Sequence, residues 1–369
     1  MNNTNKKILI IGSVNTDISY LKAFLFDIHK KGISLIYWGD NETLLELFKS
    51  NNWSFEKMHF FKVNKFFTTT KWLMQLFYLL KLNKKLKIIM SLQNISTLII
   101  SNNAKLFISS MIIKRGLKLN WLEIPTETAT SVLSLKKISK KANLITFSSI
   151  DRNNLKKAGY GGHFKTIEPG LDLKNLKRQD SIFQGLARLD HPKRKFFTIG
   201  TITPLNNHRL EILFKAIARA QEVIPNIHLV IVGGGPEKKT LMWLAKRMGI
   251  ESSVWLVGEQ ANKRKWLENL DLYLSINQEI TIDDLFFTLE AMAAKLPIIA
   301  NFGSGLDDLV FEGKNGYLTC MNDSEVIAQY IINIEQDAKL KERLGQASLD
   351  RVTKHFNLEQ MSIQFEKII

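Results

Sequence analysis

Short apolar runs alternate with helix-spaced segments along most of the chain. Residues 7–11, KILII, form an apolar run ending at Gly12 and read as a first strand. Over residues 18–31, Ile18, Leu21, Phe24, Leu25 and Ile28 recur at helical spacing, and Gly32 stands where a C-cap glycine would. The next run, ISLIYWG, reads as a second strand. Strand, helix, glycine, strand is the opening of a doubly wound α/β domain. Further strands are expected at 87–90, 119–122, 144–147 and 166–167, with helices between them.

Residues 174–195 are polar, basic and weakly periodic, which marks a linker. A second alternation follows. Strands are expected in FFTIGTI, IHLVIVGGG, SVWLVGE, LYLSI and LPIIAN. Helices are expected in RLEILFKAIARAQEVI, EKKTLMWLAKRMGI, RKWLENL, FFTLEAMAAK and DDLVFEG, and throughout residues 323–369. Such an order calls for a mostly parallel sheet covered on both faces. The expected division is a first Rossmann-like domain over residues 1–175, a linker over 176–195, a second Rossmann-like domain over 196–355, and a last helix over 356–369 crossing back to the first domain. A ligand would then lie in the crevice between the halves, at the carboxyl ends of strands.

Composition narrows the class. The chain has 369 residues, 45% hydrophobic and 23% charged, as in a folded domain protein with two cores. No apolar run reaches the roughly 20 residues of a membrane span. The amino terminus moves straight into a strand pattern, so no signal peptide is expected. Cys320 is the single cysteine, which excludes an internal disulfide framework and fits a reducing compartment. The formal charge is +16, and no acidic residue occurs between Glu56 and Glu123. That field suits nucleic acid, anionic lipid or phosphorylated substrates, or equally a solvated lysine-rich surface. No RNA-binding or helix-turn-helix signature is present, so nucleic acid is not an expected partner. The histidines do not cluster with metal-ligand spacing and no serine or cysteine nucleophile motif occurs, so neither a metal nor a bound cofactor is expected.

Several stretches agree in order with one family. LVIVGGGPEKKTLMWLAKRMGIESSVWLVGE, LEAMAAKLPIIANFGSGLDDLVFEGKNGYL and VTKHFNLEQMSIQFEKI, preceded by KANLITFSSIDRNNLKKAGYGGHFKTIEPGLDL, resemble the retaining family-4 glycosyltransferases, the glycosyl transferases group 1. The resemblance covers residues 140–369 by motif and residues 6–139 by topology. It implies a GT-B fold, two Rossmann-like doubly wound parallel-sheet domains facing a central cleft. It also implies transfer of a sugar from a nucleotide-sugar donor to a glycan or lipid-linked acceptor, of the kind found in cell-surface polysaccharide or lipopolysaccharide, with retention and without metal.

The resemblance also assigns residues. Glu290 would accept hydrogen bonds from the donor ribose, work that suits an ionised and oriented carboxylate. The amides of Leu285, Phe286 and Phe287 would face the diphosphate at a helix start. Gly234 and Gly235, in a run between strand and helix, would let backbone approach the ligand, although a plain tight turn explains them as well. Gly12 and Ser13 would contact phosphate or hydroxyl groups after the first strand. The family's glutamate eight residues before Glu290 is replaced by Ile282. Asp283 or Asp284 would serve at the donor sugar, or both simply cap the helix, as short carboxylates do. The family's arginine and lysine on the leaving diphosphate are replaced by Thr201 and Asn206, with His208 and Arg209 just beyond. The family's sugar-site histidine is missing, and Glu123 or Glu127 stands in its region.

Residues 65–87 combine aromatic and aliphatic residues with flanking lysines. They read as a core-packing helix or as a basic amphipathic helix for an anionic membrane surface. The expected setting is cytoplasmic, at the inner face of the cell membrane. The competing reading is a degenerate, non-catalytic homologue that binds a partner or a glycan, motivated by Ile282, Thr201 and Asn206.

Overall fold

The computed structural model describes residues 7–11, 19–39, 41–57, 97–100, 119–122, 143–157, 159, 161, 163–176, 196–205, 209–260, 262–277, 280–320 and 322–368. The chain divides into two compact units, one of residues 1–168 with 358–369 and one of residues 169–357.

In the first unit seven strands form one sheet. They are β1 (Lys7–Ile11), β2 (Ser34–Gly39), β3 (Ser54–Lys57), β4 (Thr97–Ile100), β5 (Leu119–Leu122), β6 (Asn143–Thr146) and β7 (His163–Thr166), in the order β3-β2-β1-β4-β5-β6-β7. Every neighbouring pair is parallel. Helices α1 (Ser19–Lys30), α2 (Glu42–Ser50) and α3 (Ser149–Lys157) connect them. The strand expected at 87–90 lies outside the described residues, as does the basic stretch 65–87. Strands β3 and β4 were not among the expected elements, and β7 begins three residues before the expected run.

The chain returns to this unit at its end. Helix α10 (Leu358–Glu366) packs on α1 through an edge-to-face contact between Phe24 and Phe365, ring centroids 5.0 Å apart, and an ion pair of 2.7 Å between Lys31 and Glu366. Gln364 and Glu168 exchange two hydrogen bonds, of 2.8 and 3.2 Å.

The second unit opens with the short helix α4 (Leu173–Leu176) and carries a six-stranded parallel sheet. Its strands are β8 (Phe197–Ile202), β9 (Ile227–Val232), β10 (Val254–Gly258), β11 (Leu272–Ser275), β12 (Ile298–Asn301) and β13 (Gly316–Thr319), in the order β10-β9-β8-β11-β12-β13. Helices α5 (Arg209–Val223), α6 (Lys238–Arg247), α7 (Ile282–Ala293), α8 (Ser324–Gln336) and α9 (Ala338–His355) cover it, with a 3-10 helix over Lys263–Asn269. The central strands are mostly apolar, as strands covered on both faces are. Ile199, Leu229, Ile231, Leu272, Leu274 and Ile299 meet Leu213, Phe214, Ile217, Ile327 and Ile331 in one core.

Two expectations fail here. DDLVFEG forms turns instead of a helix, because Asn315 accepts from the Phe311 amide and donates to the Leu309 carbonyl, holding a looped backbone. The expected helix over FFTLEAMAAK begins earlier, at Ile282, for a reason that lies in the site itself.

Candidate functional site

In the order β10-β9-β8-β11-β12-β13 the winding reverses between β8 and β11. Open parallel sheets bind ligands outside the carboxyl ends of strands at such a reversal. The chain leaving β8 runs through Thr203 to Leu205, and the chain leaving β11 runs through Ile276 and Asn277. These two exits are joined by side chains. The Thr203 hydroxyl donates to Asn277 Oδ1 at 3.4 Å, and Asn277 Nδ2 donates to Asp284 Oδ1 at 2.9 Å.

Asp284 completes a capping box at the start of α7. Its Oδ2 accepts from the Thr281 amide at 2.7 Å and from the Thr281 hydroxyl at 2.8 Å, while its own amide donates back to Thr281 Oγ1 at 3.2 Å. The pattern Thr-x-x-Asp before an apolar run signals this start in the sequence. It places the helix terminus at Thr281, so the Leu285 amide is used by the Thr281 carbonyl at 3.2 Å. The amides of Leu285, Phe286 and Phe287 therefore do not form the anion-facing end expected of them. An anion docking at this terminus would meet the first turn, at Ile282 and Asp283.

Asp284 is 7% exposed, and both its oxygens are held within the protein. Burial raises its pKa, opposed by the Thr281 and Asn277 hydrogen bonds and the positive charge of Lys263. Between the two roles open to it in the sequence, Asp284 takes the cap. Asp283, its half-buried neighbour, belongs with Phe287 and Glu290 to the accessible stripe of α7, whose other positions from Ile282 to Met292 are buried.

Glu290 lies two turns along that stripe. Burial raises the pKa of the fully buried Tyr273 phenol of β11, with smaller contributions from the charges of Asp284 and Glu290.

The glycine run closes the other side. A Cβ on Gly233 would come within 2.0 Å of the Thr203 carbonyl oxygen, and one on Gly235 within 2.8 Å of the Leu205 amide nitrogen. These two glycines let the β9 exit pack on the β8 exit, backbone to backbone, and the Leu205 amide donates to the Gly234 carbonyl at 2.9 Å. The Gly234 amide donates to Glu259 Oε2 at 3.0 Å. Glu259 also pairs with Lys263 at 2.9 Å, and Lys263 stands 5.6 Å above the Phe287 ring. The Lys263 hydrogen bond is the first cause of a lowered Glu259 pKa.

Lys263 thus brings a cation to the accessible stripe of α7. Sequence reasoning passed over it because it falls beyond β10, away from the family's usual cationic positions. Glu259 followed by Lys263 one helical turn later is the signal that was available.

Thr201 lies within β8 and is 2% exposed, so its hydroxyl is covered in this structure instead of facing a phosphate. Gly12, Ser13, Glu123, Glu127, Asn206 and His208 lie outside the described residues. Among the described residues, no group of three His, Cys, Asp or Glu side chains is placed to hold a metal ion, and no helix is long and apolar enough to cross a membrane.

Residues 182–351 match the model of the glycosyl transferases group 1. The chain is 29% identical over 164 residues to N-acetyl-alpha-D-glucosaminyl L-malate synthase of Bacillus anthracis, covering 42% of each chain. It is 24% identical over 157 residues to the lipopolysaccharide core biosynthesis glycosyltransferase LpsE of Rhizobium meliloti, covering 42% of this chain and 44% of that one. The chain thus spans less than half the length of these curated relatives.

The whole chain is similar in fold to a glycosyltransferase from Rickettsia africae, with TM-score 0.79, 15% identity, and coverage of 99% of this chain and 97% of that one. Anabaena HepE, solved in complex with UDP, has TM-score 0.76 and 17% identity, with 98% of each chain covered. The fold is that of the GT-B glycosyltransferases, a pair of Rossmann-like units. The matched region holds the β8–β11 reversal, the glycine run and the Glu290 stripe, so the matched sequence and the site coincide.

Proposed function

We propose that this protein is a glycosyltransferase that moves a sugar from a nucleotide-sugar donor to a glycan or lipid-linked acceptor. The observation that carries the reading is the position of Glu290. Its Leu-Glu-Ala-Met-Ala segment lies within the matched region, and it belongs to the accessible stripe of α7, the helix that follows β11, one of the two strands at the reversal where parallel sheets take ligands. Similarity to proteins named for lipopolysaccharide core synthesis supports a cell-surface acceptor. Similarity of fold to a chain solved with UDP supports a nucleotide diphosphate in the donor.

In this reading Glu290 accepts the ribose hydroxyls, since an ionised carboxylate makes the stronger class of hydrogen bond. The first turn of α7 meets the diphosphate. Thr201 is covered, so Lys263 supplies positive charge as the leaving diphosphate develops its own, a large term in such transfers. Asp283, on the same stripe, faces the donor sugar. Transfer proceeds with retention and without a metal ion, the cation of Lys263 acting where a metal would otherwise neutralise charge. An anionic membrane surface brings the acceptor within reach.

A thermal-shift panel of nucleotides and nucleotide sugars tests the donor site. One member is expected to raise the melting temperature of the wild type. Glu290→Ala is expected to lose that shift and to weaken donor affinity about 10- to 100-fold, as removal of a charged hydrogen-bonding group does. A full shift retained in Glu290→Ala would remove the ribose role, and no shift with any nucleotide would remove the donor site.

A further inference from the structure

We propose that the outer face of α6 is a docking surface for an anionic lipid bilayer. The helix buries Leu241 and Ala245 against the core of the second unit. Its opposite face carries Met242, 56% exposed, and Trp243, 57% exposed. Around them stand Lys238, Lys239, Lys246 and Arg247, all exposed. The Arg247 guanidinium lies 4.7 Å from the centre of the Trp243 ring, so charge and apolar surface form one patch.

The charges on this face differ from those of its neighbours. On α5, Lys215 pairs with Glu211 at 2.9 Å and Arg219 pairs with Glu325 of α8. Lys341 of α9 pairs with Asp271 at 2.6 Å. The four α6 cations form no ion pair among the described residues. Between Lys238 and Ile250 there is no acidic residue; Glu237 is half-buried at the N-cap and Glu251 follows the helix.

Four unpaired cations call for a partner rich in negative charge. Met242 and Trp243 call for one that also takes apolar groups out of water. A bilayer with acidic headgroups offers both within a few ångströms, and tryptophan is enriched at that boundary. A dissolved polyanion satisfies the charges and leaves Met242 hydrated. The surface acts independently of the donor site, so it binds with or without a nucleotide.

The test is flotation and partitioning of the full chain on phosphatidylcholine vesicles with and without phosphatidylglycerol. Wild type is expected to bind the anionic vesicles and not the neutral ones. Each Lys or Arg beside an acidic leaflet contributes about five-fold to binding, so the double reversal Lys239→Glu with Lys246→Glu is expected to cut partitioning more than about ten-fold. Met242→Ser with Trp243→Ser is expected to weaken vesicle binding at unchanged charge. All four positions are exposed, so melting temperatures are expected to match wild type, and Glu290→Ala is expected to bind vesicles normally. The proposal falls if wild type ignores anionic vesicles, or if either double variant binds them as wild type does. It also falls if heparin binds as tightly through the lysines while the Met242 and Trp243 pair makes no difference to vesicles.

Discussion

Asp284 and Glu290 share one helix and are held to different tasks by their surroundings. Asp284 takes three hydrogen bonds from Thr281 and Asn277, and its removal strands those donors in a buried setting. Asp284→Ala is expected to destabilise the second unit by about 2–4 kcal/mol in chemical denaturation, whereas Glu290→Ala stays within about 0.5 kcal/mol of wild type. His228 on β9 gives a pH signature. It stacks on Phe196 with ring centroids 4.1 Å apart, and burial lowers its pKa below the ordinary value of 6.5. Between those two values the unfolded chain holds the proton and the folded chain does not, so stability declines as pH falls below about 6.5. His228→Phe is expected to flatten that part of the stability–pH curve, read from melting temperatures between pH 5 and 7.5.

At the scale of elements, α7 is fixed at both ends. Its start is set by the capping box, and its end by contact with α9. A Cβ on Gly345 of α9 would come within 2.1 Å of the Lys295 carbonyl oxygen, just past α7. Gly345→Ala is therefore expected to cost about 1–3 kcal/mol despite the better helix former, and to weaken donor binding by tilting the Glu290 stripe. Melting and thermal shift together check both effects. The parallel strands of the second unit were legible because buried strands write themselves as short apolar runs, as in LVIV of β9. The start of α7 was less so. Asp283 and Asp284 look alike as letters, and only the Thr281 hydroxyl at the right spacing separates cap from site. Thr201 is buried in β8, and a hydroxyl within a strand gives no sign in the sequence of which face it occupies. Strand β13 was hidden because its four residues, GYLT, carry little apolar weight, and its place is set by pairing with β12.

For the whole molecule, the last segment decides how the first unit holds together. Met361, Phe365 and Ile368 are buried there, Phe365 against Phe24. Each such side chain contributes roughly 1.5–3 kcal/mol on burial. Deletion of residues 358–369 is expected to lower the melting transition of the first unit or abolish it, and to leave that of the second unit in place; calorimetry separates the two. The boundaries of the second unit carry a further consequence. The Leu171 amide donates to the Phe356 carbonyl at 2.8 Å, so the stretch entering this unit and the stretch leaving it run side by side, with Leu171 bridging Asn357. Topologically the second unit is a cassette spliced into a host, with entry and exit at a single point. Such a cassette costs its host little closure entropy and is drawn from one continuous stretch of chain, so that exchanging it between hosts leaves the host ends already side by side.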